Sequence, residues 1–120
     1  MNTLREVLNN ELSRADDCVA AGDCLSAKRH LERAHVLGQS ITSEHTRIHW
    51  RMFKLGCKMR DIREILGQLL RMAGAATKTP FGIYPTGNTG GADVWFFKPM
   101  PIPNDLQKVL NQANIKSSKK

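Results

Sequence analysis

Two histidines, His45 and His49, stand four residues apart in the stretch SEHTRIHWRM, where Ile48, Met52 and Phe53 recur at helical spacing. Residues i and i+4 share one face of a helix, so both imidazoles leave the same side and can reach one ligand. A third, His35, lies near the end of the preceding helical stretch. In an antiparallel hairpin that end adjoins the start of the next helix, and the three rings converge. Three neutral nitrogen donors completed by a carboxylate or water suit a divalent transition metal, Zn²⁺, Co²⁺, Ni²⁺ or Cu²⁺, without separating them. Glu32 and Glu44 lie close enough in sequence to supply the carboxylate. The affinity of such a site should fall as the pH drops through ~6.5, the ordinary imidazole value. The competing reading is three partly buried histidines bonded to backbone or to Gln39. His30 falls off the stripe and is expected in solvent. No glutamate follows His45, so the HExxH signature of a metalloprotease is absent.

A second group of residues is Pro85-Thr86-Gly87-Asn88-Thr89-Gly90-Gly91. The glycines and Asn88 tolerate left-handed backbone, so the amides of Asn88, Thr89, Gly90 and Gly91 can form an anion nest or, more simply, a tight turn. The stretch is not a P-loop, since it lacks the G-K-[ST] ending. Gln68 and Arg71 flank an apolar stripe and either anchor this loop or lie in solvent. Nothing resembles a nucleophile elbow. Cys57, beside Lys58 and Arg60, reads as a helix-end cysteine, and Cys18 and Cys24 as small apolar residues.

Helices must position these groups. Thr3 and Glu6 form a capping box for a first helix from Leu4 to Ala21, with Leu4, Leu8, Leu12, Ala15 and Val19 on one face and Gly22 as its stop. Asp23 caps a second helix with the stripe Cys24, Ala27, Leu31, Ala34 and His35, ended by Gly38. Thr42 or Ser43 caps a third, whose inward stripe is His45, Ile48, His49, Met52, Phe53 and Gly56. Asp61 and Glu64 open a fourth with Ile62, Ile65, Leu66, Leu69 and Ala73 inward. Short links make neighbours antiparallel. The expected fold is therefore all-α, four main helices in two antiparallel hairpins.

Residues 74–103 hold all five prolines and five of the nine glycines. They predict an extended segment that lays Val94-Trp95-Phe96-Phe97 across the helices. A short helix from Asp105 to about Ala113 and a flexible basic tail, 114–120, follow. Residues 1–113 then make one domain.

The 120 residues carry a net charge of +7, distributed as −1 over residues 1–40, +4 over 41–73 and +4 over 74–120. A basic face can meet an acidic protein partner. Nucleic acid is disfavoured, because aromatics are 6% and none interleaves with an Arg/Lys cluster. No apolar run spans a bilayer, and the polar start lacks a secretory signal, so a cytoplasmic location is expected. Three cysteines without a CxxC pair exclude a disulfide framework.

Gly22, Ala27, Leu31 and Ala34 resemble the second half of a tetratricopeptide repeat, where small residues let helices cross closely. At a shift of ~34 residues come Gly56 and Ile65, but Asp61 and Gln68 stand where alanines belong. The chain also resembles a family of small bacterial proteins of unassigned function. The likeness rests on RAHVLGQ (33–39), His45 and His49, GQLLR (67–71), PTGNTGGADV and MPIPNDL. It implies a place in metal handling or resistance, in keeping with genes for heavy-metal efflux and sensing beside such proteins. The reading is a non-enzymatic protein binding metal through His35, His45 and His49. An interaction module with a basic face is the alternative, as is a small enzyme whose site lies between the histidines and the glycine loop.

Overall fold

The structure is a computed structural model, and it describes residues 3–78, 81, 87–92 and 98–118. Five helices follow one another: α1 (Leu4–Ala20), α2 (Cys24–Gly38), α3 (Thr42–Met59), α4 (Ile62–Lys78) and α5 (Asn104–Ser118). No strand occurs among the described residues. α1 packs on α2 and α3 on α4, giving the two expected hairpins, and α2 against α3 joins them. α5 lies against α1 and α2.

The links are short because each end is chemically closed. The Thr3 hydroxyl accepts from the Glu6 amide, and Asp23 accepts from the Ser26 amide. Gly22 takes the left-handed conformation (φ 80°) that halts α1. At the α3–α4 corner Arg60 itself is left-handed (φ 55°), and the Asp61 amide reaches back to the Gly56 carbonyl. α3 departs from expectation. Ile41 is its N-cap and makes no side-chain cap, so neither Thr42 nor Ser43 plays that part. Only residues 39–41 separate α2 from α3.

The core is built from Leu8, Leu12, Ala15, Ala27, Leu31, Ala34, Leu37, Ile48, Met52 and Leu55, with Leu106 added from α5. Three helices meet at Gly38. A Cβ there would lie 2.9 Å from Leu8 Cδ1, 3.1 Å from Ile48 Cδ1 and 3.2 Å from Glu44 Cβ. Cys18 and Cys24 pack partly buried against the core, and Cys57 is exposed.

The structure corrects four expectations. Ile62, Leu66, Leu69 and Ala73 of α4 face outward, and only Ile65 of that stripe is half-buried. The buried residues of α4 are polar, Glu64 and Gln68, for reasons given below. Phe53 is only half-buried and stacks on exposed Trp50. α5 runs on to Ser118, through most of the stretch expected to be a tail. His30 is not in solvent. Its ring bonds Glu11 at 2.7 Å, and Arg33 holds the other oxygen of Glu11 while also pairing with Asp105. This clasp ties α5 to the first hairpin. The expected packing of Val94–Phe97 lies outside the described residues.

Leu8 sits at the three-helix meeting point and is 1% exposed. Leu8→Ala should cost ~2–5 kcal/mol, the range for a buried leucine, whereas Leu25→Ala on the surface should stay within ~0.5 kcal/mol. Urea titration followed by circular dichroism measures both. Equal effects would contradict the assigned core.

Candidate metal centre

The three-residue link brings the end of α2 against the start of α3, and the histidines meet there. His35 Nε2 lies 2.9 Å from His45 Nε2 and 3.0 Å from His49 Nε2. All three rings are buried, at 2%, 6% and 2% exposure. One ligand atom from each can be chosen so that all lie within 4.8 Å of one another.

The outer ring nitrogens fix the tautomers. His35 Nδ1 is 2.7 Å from the Asn88 carbonyl oxygen. A carbonyl only accepts, so Nδ1 carries the proton and Nε2 the lone pair. His49 Nδ1 is 2.5 Å from Gln68 Oε1. The Gln68 amide cannot be the other way round, because its nitrogen donates to Glu64 Oε1 (2.6 Å) and to the Gly90 carbonyl (2.7 Å). His49 therefore also presents a lone pair at Nε2. Two lone pairs face each other across 3.0 Å, a contact that neutral rings cannot turn into a hydrogen bond. His45 can donate a proton to His35 but cannot relieve the His35–His49 contact. A cation among the three nitrogens does relieve it.

A proton is a poor candidate for that cation. Burial holds His35 well below the ordinary imidazole value, reinforced by His49, His45 and Arg71. Burial alone brings His45 down to about 4. Burial, then His45 and Arg71, bring His49 to about 3 against the opposing bond from Gln68. The folded site thus stays unprotonated far below 6.5, which displaces the pH response expected from sequence. A metal ion fits the donor set. Bonds of ~2.0–2.1 Å in a tetrahedral site place ligand nitrogens about 3.3 Å apart; His35 already stands within a few tenths of an ångström of that from His45 and from His49, and the three ligand atoms all lie within 4.8 Å of one another. Histidine ligands ordinarily donate their second N–H to a carbonyl or carboxylate, as His35 and His49 do here.

The glycine loop roofs this centre. Its carbonyls serve His35 and Gln68, while its amides are taken up by side chains: Gly87 by Gln39, Gly90 by Asn88 Oδ1, and Ala92 by Glu64. The Asn88 side-chain nitrogen donates to the Lys98 carbonyl. The loop is a built turn, and of the amides expected to form an anion nest that of Gly90 is bonded to Asn88 Oδ1. Gly90 is left-handed (φ 84°), and a Cβ there would stand 2.7–2.9 Å from the His35 ring. Thr89 is half-buried and Gly91 buried in the same turn.

Gln68 thus joins the loop to His49, while Arg71 bonds the Gly67 carbonyl of its own helix. Neither proposed carboxylate joins the histidine cluster. Glu44 is held by Arg47 at 2.6 Å and Arg5 at 3.5 Å. Glu32 lies half-buried beside a surface hollow with Arg29, Arg33 and Val36. The carboxylate that matters is Glu64, which the sequence reading used only as a cap. Asp61 does cap the Glu64 amide, but the Glu64 carboxylate turns to Gln68, to Ala92 and, 4.0 Å away, to Lys28. Gln68 carried two advance signals, its place beside the apolar stripe as a candidate anchor of the glycine loop and its position where the repeat pattern calls for alanine.

Three imidazoles buried neutral make stability depend on pH. In the unfolded chain they take protons below ~6.5, while in the folded chain His45 does so only near 4 and His49 near 3, with His35 held well below the ordinary value, so the unfolded state binds more protons in that window and stability falls as the pH falls. Each histidine contributes ~1.4 kcal/mol per pH unit, or ~4 kcal/mol for three. Metal-free protein should lose about that much unfolding free energy between pH 6 and pH 5 in urea titrations. A flat profile there would refute the buried neutral cluster.

No curated protein and no solved structure matches the chain. One family does, over residues 2–110, and its description is "Protein of unknown function". That span contains all five helices but the end of α5, the three histidines and the loop that roofs them. The chain belongs to this family, DUF3703.

Proposed function

We propose that the protein binds a divalent transition-metal ion through Nε2 of His35, His45 and His49, in metal handling or resistance. The observation that carries this reading is the pair of lone pairs on His35 and His49, held 3.0 Å apart by donors already committed to Asn88 and Gln68. Such a contact is unfavourable in the empty protein and becomes favourable when a cation accepts both pairs. Glu64 supplies a buried negative charge one amide away, and Gln68 orients His49. Three ligands leave a fourth position for water or an exogenous donor. No reaction is required of the site.

Elemental analysis of untagged protein and calorimetric titration with Zn²⁺ and Co²⁺ test this. His49→Ala should abolish tight binding, and Gln68→Met should weaken it ~10–100-fold, the usual cost of losing an outer-shell partner. Gly90→Ala should also weaken it, since the new methyl group meets His35. His30→Ala, away from the centre, should not change the affinity. Metal should raise the melting temperature, because the site exists only in the folded hairpins. No uptake at micromolar metal, or equal loss in His30→Ala, would end the proposal.

A second reading rests on a groove of about 240 Å³ between α1, α2 and α3. Ala15, Val19, Leu31 and Leu55 make it apolar, and Arg51, Lys54 and Lys58 make one rim basic. Arg51 is paired with Asp16, while Lys54 and Lys58 are exposed. This supports docking of an acidic protein segment with an apolar anchor. Peptides selected from a random phage library on the whole protein should be rich in Asp, Glu and Leu. Lys54→Glu with Lys58→Glu should weaken them at least tenfold. Selection of neutral or basic peptides would count against the groove.

A further inference from the structure

The three imidazoles are too enclosed for an ion to reach their inward nitrogens from solvent, at 2%, 6% and 2% exposure. Something must move to load the site. Moving α2 or α3 would break the core, since Leu31, Ala34 and Leu37 come from one and Ile48, Met52 and Leu55 from the other. Among the described residues the non-helical cover of the cluster is the glycine loop, residues 87–92. Hydrogen bonds join it to the helices: His35 to the Asn88 carbonyl, Gln68 to the Gly90 carbonyl, Gln39 to the Gly87 amide and Glu64 to the Ala92 amide. Water can replace each of these when the cover lifts, so their net hold is modest.

The firmer fastening lies behind the loop. The Asn88 side chain donates to the Lys98 carbonyl at 2.8 Å. Gly87 is left-handed (φ 80°), and a Cβ there would run into the Met100 carbonyl and stand 3.2 Å from Ile102. Ile102 packs against the core, and the Pro103 carbonyl accepts from the Gln107 amide in the first turn of α5. α5 is docked by Leu106, 1% exposed and its one fully buried side chain among the described residues, with Val109 and Leu110 half-buried beside it. Next to Leu106, Asp105 pairs with Arg33, two residues before His35 on α2. We infer that α5 is the latch of a gate: the ion enters and leaves when Leu106 and the Arg33–Asp105 pair let go and residues 87–92 lift from the imidazoles. The inference rests on the metal reading for what passes the gate. Opening also withdraws the carbonyls that orient the His35 ring and the Gln68 amide, so the motion that exposes the ion slackens its ligands. Neither latch residue is a ligand, so weakening the latch raises the open population in empty and loaded protein alike. Loading and release then accelerate together and the affinity stays the same. A damaged site gives another pattern, faster release alone.

Stopped-flow mixing of the whole, untagged chain with Co²⁺, and of the loaded chain with excess EDTA, reads the two rates. Leu106→Ala should raise both roughly tenfold or more, well within what losing a buried leucine can do, and leave their ratio within about threefold of the wild type. Asp105→Asn, at an exposed position that leaves the core intact, should raise both about two- to fivefold, the reach of a surface ion pair. Leu55→Ala, a core change in the groove between α1, α2 and α3, should lower overall stability without speeding loading. A second readout needs no metal. Diethyl pyrocarbonate acylates unprotonated imidazole. Peptide mass spectrometry of metal-free protein should find His35 and His49 modified faster in Leu106→Ala and in Asp105→Asn than in wild type or Leu55→Ala, with helical circular dichroism retained. Faster release without faster loading overturns the gate, as does unchanged modification of His35 and His49 in both folded latch variants. A wild type that takes up no Co²⁺ ends the metal reading, and the modification rates then decide by themselves whether the cluster is gated.

Discussion

Everything near the centre of this molecule answers to one electrostatic problem, the close approach of His35 Nε2 and His49 Nε2 with both protons committed elsewhere. The three-residue turn after α2 sets the distance between the helices. Gly38 lets them approach, because any side chain there would strike Leu8, Ile48 or Glu44. Gly90 lets the loop descend onto the His35 ring, and Gln68 spends its amide on a carboxylate and a carbonyl so that its oxygen is left for His49. Loosen any of these and the nitrogens part. The cost is a contact that opposes folding and that a bound cation would relieve, the kind of local conflict that marks a functional place in an otherwise consistent fold.

The same demand explains why α4 is turned the way it is. A helix of this composition would ordinarily bury Ile62, Leu66 and Leu69. Here the imidazole proton of His49 and the Ala92 amide need acceptors, and Gln68 and Glu64 provide them from one face of one helix, i and i+4. An unsatisfied buried donor costs ~1–3 kcal/mol, and several would be left if α4 rotated. Rotation in the observed sense leaves Ile62, Leu66, Leu69 and Leu70 exposed.

Much of this was legible in the sequence. Thr3, Gly22 and Asp23 marked helix ends by their own backbone chemistry, and the 3.6-residue stripes of α1 and α2 named the core, because apolar spacing on those helices had a single face to offer. His45 and His49 were placed together by periodicity, and His35 by hairpin geometry. α4 failed for the opposite reason. It has two candidate faces, and periodicity ranks them by hydrophobicity, whereas the fold ranked them by hydrogen bonds to residues 19 to 28 positions away. Glu11, Glu64 and the Asn88 carbonyl were missed on the same ground, since a charged residue or a backbone oxygen acquires its role only from a partner that tertiary structure supplies. Gln68 was legible as a candidate anchor of the glycine loop, whereas its bond to His49 was readable only with the loop in place.

The contacts around the imidazoles differ widely in how much chain they close. His35 meets His45 across 10 residues and His49 across 14, inside one hairpin junction. Asn88 meets His35 across 53, and Arg33 meets Asp105 across 72. Closing a longer loop costs more chain entropy before any contact repays it, so local pairs form earlier as a chain orders. The three nitrogens therefore assemble on α2 and α3 while the glycine loop and α5 are still remote. On a chain emerging from synthesis, the three imidazoles come together and stand open to solvent before their roof exists, so convergence precedes enclosure.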